Sequence, residues 1–143
     1  MLFPLILFTI SLPFVLADDY ADTWVGAYSI PFHEPIYGAI DFPNDWDFFQ
    51  IRLIAGRGYQ ITALSYFDNY LRVYDPGLNI LFAVDNAVGS NAQGGFIAPS
   101  TGQYYIAVTG ATIYALGSYL VAVVDLSSCS ATCTCNFVVF SSY

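Results

Sequence analysis

An all-β fold, an antiparallel, jelly-roll-like β-sandwich of eight or nine short strands, is predicted by two features of the sequence. Apolar residues recur with a period of two in short runs, and turn-forming residues separate those runs at regular intervals. No stretch after the first seventeen residues carries a convincing helical period. The clearest run follows an acidic turn at Asn44-Asp45. Phe49, Ile51 and Leu53 fall on one face of it, and Phe48, Gln50 and Arg52 on the other. That is the pattern of a half-buried strand.

The other elements follow in order. Met1–Ala17 is an apolar run that ends in Val15-Leu16-Ala17 and is followed at once by Asp18-Asp19. It reads as a signal peptide over residues 1–17, although no Lys or Arg precedes the apolar core. A membrane anchor is the alternative, but the run is short for a span and Pro4 and Pro13 interrupt it. Residues 18–35 form an acidic lead-in with room for one edge strand, since Pro31 and Pro35 suit an edge. Strands are expected at Ile36–Ile40, Asp47–Ile54, Tyr59–Ser65, Tyr70–Tyr74, Ile80–Val84, Phe96–Ala98, Gln103–Val108 and Ser118–Val124. Asp41–Asp45, Ala55–Gly58 and Asp75-Pro76-Gly77 are turns. Asp85–Gly95 reads as a polar loop. The sandwich proper spans residues 36–125. Residues 126–143 form a tail holding Cys129, Cys133 and Cys135, an odd number for a secreted chain and a poor zinc set without a fourth ligand. Its apolar run, Asn136–Phe140, is too short to span a membrane, and the chain reads either as a stand-alone module or as a truncated product in which that run starts a further domain.

Composition narrows the function. The 143 residues contain eleven acidic side chains, ten of them Asp, against three Arg and no Lys, for a net charge of −8. Such a surface repels phosphate backbones and anionic lipids, which argues against nucleic-acid binding. It suits divalent cations, for which Asp supplies hard oxygen ligands. Asp45 and Asp47 stand where the loop becomes the strand, set either to bind calcium or to cap the turn through backbone amides. Asp18, Asp19 and Asp22 could fold back to complete a cation site.

Tyr70, Tyr74 and Tyr105 lie opposite the core-facing residues of their strands and offer a binding surface for sugars or extended peptides, with packing as the alternative role. The lone His33 sits between prolines with no nucleophile motif around it, and no serine lies in a Gly-x-Ser-x-Gly elbow. Catalysis therefore has little to work with, and a hydrolase using His33 is the remote alternative.

The ordered set Gly38-Ala39-Ile40-Asp41, Asp45–Ile51, Leu53–Ile61, Asp68–Asp75, Phe96–Val108 and Gly117–Leu120 resembles the bacterial pre-peptidase C-terminal domain. The opening residues Asp18–Thr23 are similar to the acidic lead-in common before such domains. The resemblance implies a non-catalytic accessory module attached to a catalytic or adhesive partner. The related collagen-binding domains of clostridial collagenases chelate calcium through an acidic N-terminal linker and an acidic turn. The expectation is a secreted, extracellular module that binds protein or polysaccharide, or an attached peptidase, with calcium as a stabilising ion and no stable membrane insertion after leader cleavage. A purely structural role in folding or export of a partner is the runner-up.

Overall fold

The structure is a computed structural model that describes residues 18–85, 89 and 91–128. Residues 1–17, read from sequence as a signal peptide, and cysteines 129, 133 and 135 lie outside this set. Among the described residues nine strands form two facing sheets. They are β1 (Tyr28–Ser29), β2 (Ile36–Ile40), β3 (Trp46–Leu53), β4 (Gly58–Ser65), β5 (Asn69–Tyr74), β6 (Ile80–Val84), β7 (Ala92–Ile97), β8 (Gly102–Gly110) and β9 (Gly117–Asp125). The first sheet has the order β1-β3-β8-β5-β6 and the second β2-β9-β4-β7. Nearly every connection passes from one sheet to the other, which is jelly-roll connectivity. Among the described residues the strands pair antiparallel except the edge strand β1, which runs parallel to β3, and an isolated parallel bridge joins Phe32 to Val123. A single 3₁₀ turn, Leu126–Ser128, closes the described chain.

Register turns the alternation into a core. Phe49 pairs with Ile106, and Ile106 with Val73, so one row of inward side chains crosses three strands. Ile61 and Val123 pair on the opposite sheet. These residues, with Leu53, Leu71, Tyr104 and Val121, form one buried cluster between the sheets. A smaller cluster lies outside it. Ala27, Phe48 and Ala107 are buried on the outer face of the first sheet, under Trp46, Tyr74 and Tyr105. Phe48 is thus buried although it points away from the main core.

One expectation needs correction. The stretch read as a polar loop ends at Asn91, and β7 begins at Ala92 rather than Phe96. Gln93-Gly94-Gly95 has little strand propensity, but Gly94 pairs with Ile61. The ring of Phe82 occupies the space where a Cβ of residue 94 would stand. Glycine in this strand therefore marks a close approach between the sheets. The buried Asn69 holds the same region. Its amide donates to the Ser65 hydroxyl at 2.7 Å, and its carbonyl accepts from the Ala92 amide at 2.8 Å.

Charge is handled sparingly. Arg57 and Asp125 form an ion pair of 3.1 Å at the end of the sandwich opposite the Asp41–Asp45 turn. Burial pushes the Asp125 carboxyl up, but the hydroxyl and amide of Ser127 and the Arg57 guanidinium outweigh it and leave the group below the usual range. His33 is exposed in the β1–β2 connection with a positive φ of 63°, and its backbone amide donates to the Val123 carbonyl.

Candidate functional site

The acidic end of the sandwich is built by the turn before β3. Asn44 adopts a left-handed conformation with φ of 65°, which Asn tolerates well. This reverses the chain and delivers Asp45 inward. Alternation along β3 then turns Trp46 outward and Asp47 inward. Both carboxylates are fully buried. One oxygen of each is satisfied: Asp45 Oδ2 accepts from the Asp41 amide at 2.6 Å, and Asp47 Oδ2 accepts from the Tyr119 hydroxyl at 2.6 Å. The other oxygen of each, Oδ1, is buried without a hydrogen-bond partner. Asp45 thus caps the turn through one oxygen, Asp47 ties β3 to β9 through one of its own, and each keeps a second oxygen without a partner.

The lead-in segment lies across this end and ties the two sheets together. Tyr20 donates from its hydroxyl to the Tyr37 carbonyl at 2.8 Å, and its ring lies 4.7 Å from that of Phe49. The Phe48 amide donates to the Ala21 carbonyl at 3.0 Å. Of the five acids expected to hold an ion, the structure brings three together. Asp18, Asp45 and Asp47 each offer a carboxylate oxygen, and these atoms lie within 4.8 Å of one another. Asp19 and Asp22 stand outside that group and anchor the segment instead. Asp19 accepts from the Ala39 amide at 2.9 Å, and Asp22 accepts from the Trp46 amide at 3.1 Å.

Electrostatics at this point is unfavourable without a positive charge. Burial, reinforced by the neighbouring acids, pushes Asp45 up to about 6, against the amide of Asp41. Burial also pushes Asp47 up to about 8, against the hydrogen bond from Tyr119 and with the help of Asp19, Asp45 and Asp18. Desolvation penalises the charged form of each group, and mutual repulsion adds to it. The Tyr119 hydroxyl is driven upward in turn, by burial first and by the Asp47 charge second. An all-carboxylate set with two orphaned buried oxygens fits a hard cation such as calcium, which takes oxygen ligands from separate segments. Softer metals would call for His or Cys, and this cluster has neither. Tyr119 was not legible as part of the site, because it lies on β9, far away in sequence.

The aromatic residues of the first sheet's outer face form a second feature. Tyr70, Tyr74 and Tyr105 all lie there, half-buried rather than free. The ring of Tyr74 stacks on Phe48 at 5.9 Å. Two neighbours that sequence reasoning missed complete the face. The Arg72 guanidinium sits 4.7 Å from the Trp46 ring centroid and 5.2 Å from that of Tyr70. Alternation of Tyr70, Arg72 and Tyr74 on one strand, and of Trp46 with Phe48 on another, was the available signal, but it could not show that the two strands would bring Arg72 to Trp46.

This is the architecture of a small β-sandwich module with a carboxylate cluster at one end. No protein-family model and no curated protein matches the chain. Solved structures do. The pre-peptidase C-terminal domain of a collagenase from Bacillus anthracis shares the fold, with a TM-score of 0.59 and 19% identity over 68% of this chain and 93% of that one. PliG of Aeromonas hydrophila, a periplasmic inhibitor of g-type lysozyme, matches with a TM-score of 0.53 and 16% identity over 68% of this chain and 95% of that one. The sequence resemblance to pre-peptidase C-terminal domains is thus met at the level of fold.

Proposed function

We propose that the chain is a secreted, non-catalytic accessory module that binds extracellular protein or polysaccharide and is stabilised by calcium held between Asp18, Asp45 and Asp47. The observation that carries the cation assignment is the pair of buried, unpartnered oxygens on Asp45 and Asp47, within reach of a third carboxylate from the lead-in segment. Leaving such groups unpaired costs free energy, and a cation offsets it. Asp45 and Asp47 would hold the ion from the sandwich, and Asp18 would hold it from the lead-in, so the ion would tie that segment to β3. The accessory role is supported by the shared fold with a collagenase's pre-peptidase C-terminal domain and with a lysozyme inhibitor. Among the described residues no helix is long and apolar enough to cross a membrane.

Calcium is expected to raise the melting temperature of the full mature chain, and chelator to lower it. An ion that binds only the folded state contributes about 2.7 kcal/mol at a hundredfold excess over Kd. Asp45→Asn combined with Asp47→Asn should abolish the shift while the core strands persist. Equal melting temperatures in millimolar calcium and in excess chelator would reject the cation site. The leader reading has its own check. N-terminal sequencing of the secreted protein should begin at Asp18, and recovery of an intact Met1 chain in membranes would show an anchor instead.

A further inference from the structure

We infer that the cleft beside Arg72, on the outer face of the first sheet, is a binding site for a neutral saccharide; this deepens the accessory-module reading and rests on it. The cleft encloses about 350 Å³ and is lined by Asn44, Trp46, Tyr70, Arg72, Asp85 and Thr112, among others. That volume is at the lower end of the range of about 300–1,000 Å³ typical of small-molecule sites. It suits a short stretch of sugar chain better than a folded partner.

The chemistry of the lining selects the ligand. Trp46 and Tyr70 meet edge to face, with centroids 6.2 Å apart and planes at 79°, forming an aromatic corner. A pyranose has an apolar C–H face that packs on such rings and a rim of hydroxyls that both donate and accept. Arg72 lies over both rings and covers part of the corner, so a sugar would meet its guanidinium as well as the ring surface. Its Nε donates to the Tyr70 hydroxyl at 3.4 Å, and the planar guanidinium carries further donors. Asp85 supplies acceptors in the same cleft, and Asn44 and Thr112 supply both kinds. The lining holds one cation and one carboxylate, and Asp85 stands against a second acid, Asp68, so nothing in it favours an anionic ligand.

The chain around it carries a net charge of −8 and disfavours a polyanion. A peptide adding as a strand is also poorly served. The floor of the cleft is the middle of a sheet, where β8 is already paired with β3 on one side and β5 on the other. The corner of Trp46 and Tyr70, both opposite Thr109, lies two same-face rows along the sheet from the pair Tyr74 and Tyr105. Those two rings pack on the Phe48 cluster and buttress the face.

The test uses the full mature chain with neutral hexasaccharides of β-glucan, xylan, mannan and chitin, and with hexagalacturonate as the acidic comparison. Binding is read by tryptophan fluorescence and by retardation in gels containing the matching polysaccharide. At least one neutral hexasaccharide should bind, and the acidic one should not. Trp46→Ala and Arg72→Gln should each weaken binding about tenfold or more. Arg52→Gln, on the same sheet face but outside the cleft, should leave it unchanged. Should Trp46→Ala fail to fold, Arg72→Gln decides, because Arg72 is only half-buried and belongs to neither apolar cluster.

Binding of none of the neutral sugars, equal binding of hexagalacturonate, or undiminished binding by folded Arg72→Gln would overturn the assignment. Binding of a purified extracellular protein in place of any sugar would also overturn it, yet leave the accessory-module reading standing. Release of new reducing ends from a bound sugar would support the cleft and reject the non-catalytic reading. Because Trp46 stands between Asp45 and Asp47, the binding is measured both in calcium and in excess chelator; loss of sugar binding in both overturns the cleft, and loss of the calcium-dependent melting shift alone overturns only the ion site.

Discussion

Ile106→Ala is expected to destabilise the domain by about 2–5 kcal/mol, the range for truncating a fully buried aliphatic side chain. Ile106 has no exposed surface and belongs to the main core cluster. It lies on the central strand β8, between Phe49 of β3 and Val73 of β5, so its removal opens a cavity where two strand pairs meet. Neither neighbouring strand can move in to fill the space without disturbing its own ladder. The matched control is Ile97→Ala at the end of the edge strand β7. Ile97 is 70% exposed, and the same truncation there should stay within about 0.5 kcal/mol. Equilibrium denaturation of both variants measures the contrast. Equal costs at the two sites would mean that the register across β3, β8 and β5 is wrong.

The second large effect is on pH dependence, and its sign is opposite to that of most acidic groups. Asp45 and Asp47 are pushed up to about 6 and about 8 in the folded chain, against about 3.9 in an unfolded one. The folded state therefore holds more protons than the unfolded state across that interval, and stability falls as pH rises. In excess chelator the chain should be most stable near pH 4 and should lose on the order of a few kcal/mol by about pH 8. On the acid side Asp75 and Asp125 act in the usual direction. Asp75 is held low by the amide and side chain of Asn79, and Asp125 by Ser127 and Arg57 against its burial. Their contributions are lost as pH falls below about 4.

Calcium should reverse the alkaline trend. Binding needs ionised carboxylates, so the ion releases protons and its stabilisation grows with pH. Melting curves from pH 4 to 8, with calcium and with chelator, should diverge steadily toward the alkaline end. A flat profile in chelator would mean that the two carboxylates are hydrated or otherwise compensated in solution.

These two experiments probe different layers of information. The core of Phe49, Ile51, Leu71, Val73, Tyr104, Ile106 and Val108 was legible from sequence, because side-chain direction in a strand has a period of two and the turns mark where each run starts and stops. The strands at Ile36–Ile40 and Ile80–Val84 fall where the pattern puts them. The start of β7 did not show, since its glycines have no intrinsic preference for a strand and Gly94 is there to admit the ring of Phe82.

At the acidic end, sequence could nominate Asp45 and Asp47 by their place in a turn. It could not say that Asp18 would join them while Asp19 and Asp22 bound backbone amides. Nor could it show that Tyr119 would donate to Asp47, or that Arg72 would reach across the sheet to Trp46. Alternation and turn chemistry are properties of a few consecutive residues and can be read from the chain alone. Convergence of residues far apart in sequence depends on register, on the lead-in crossing from one sheet to the other, and on which oxygens burial leaves unpaired. Only the folded sandwich decides those.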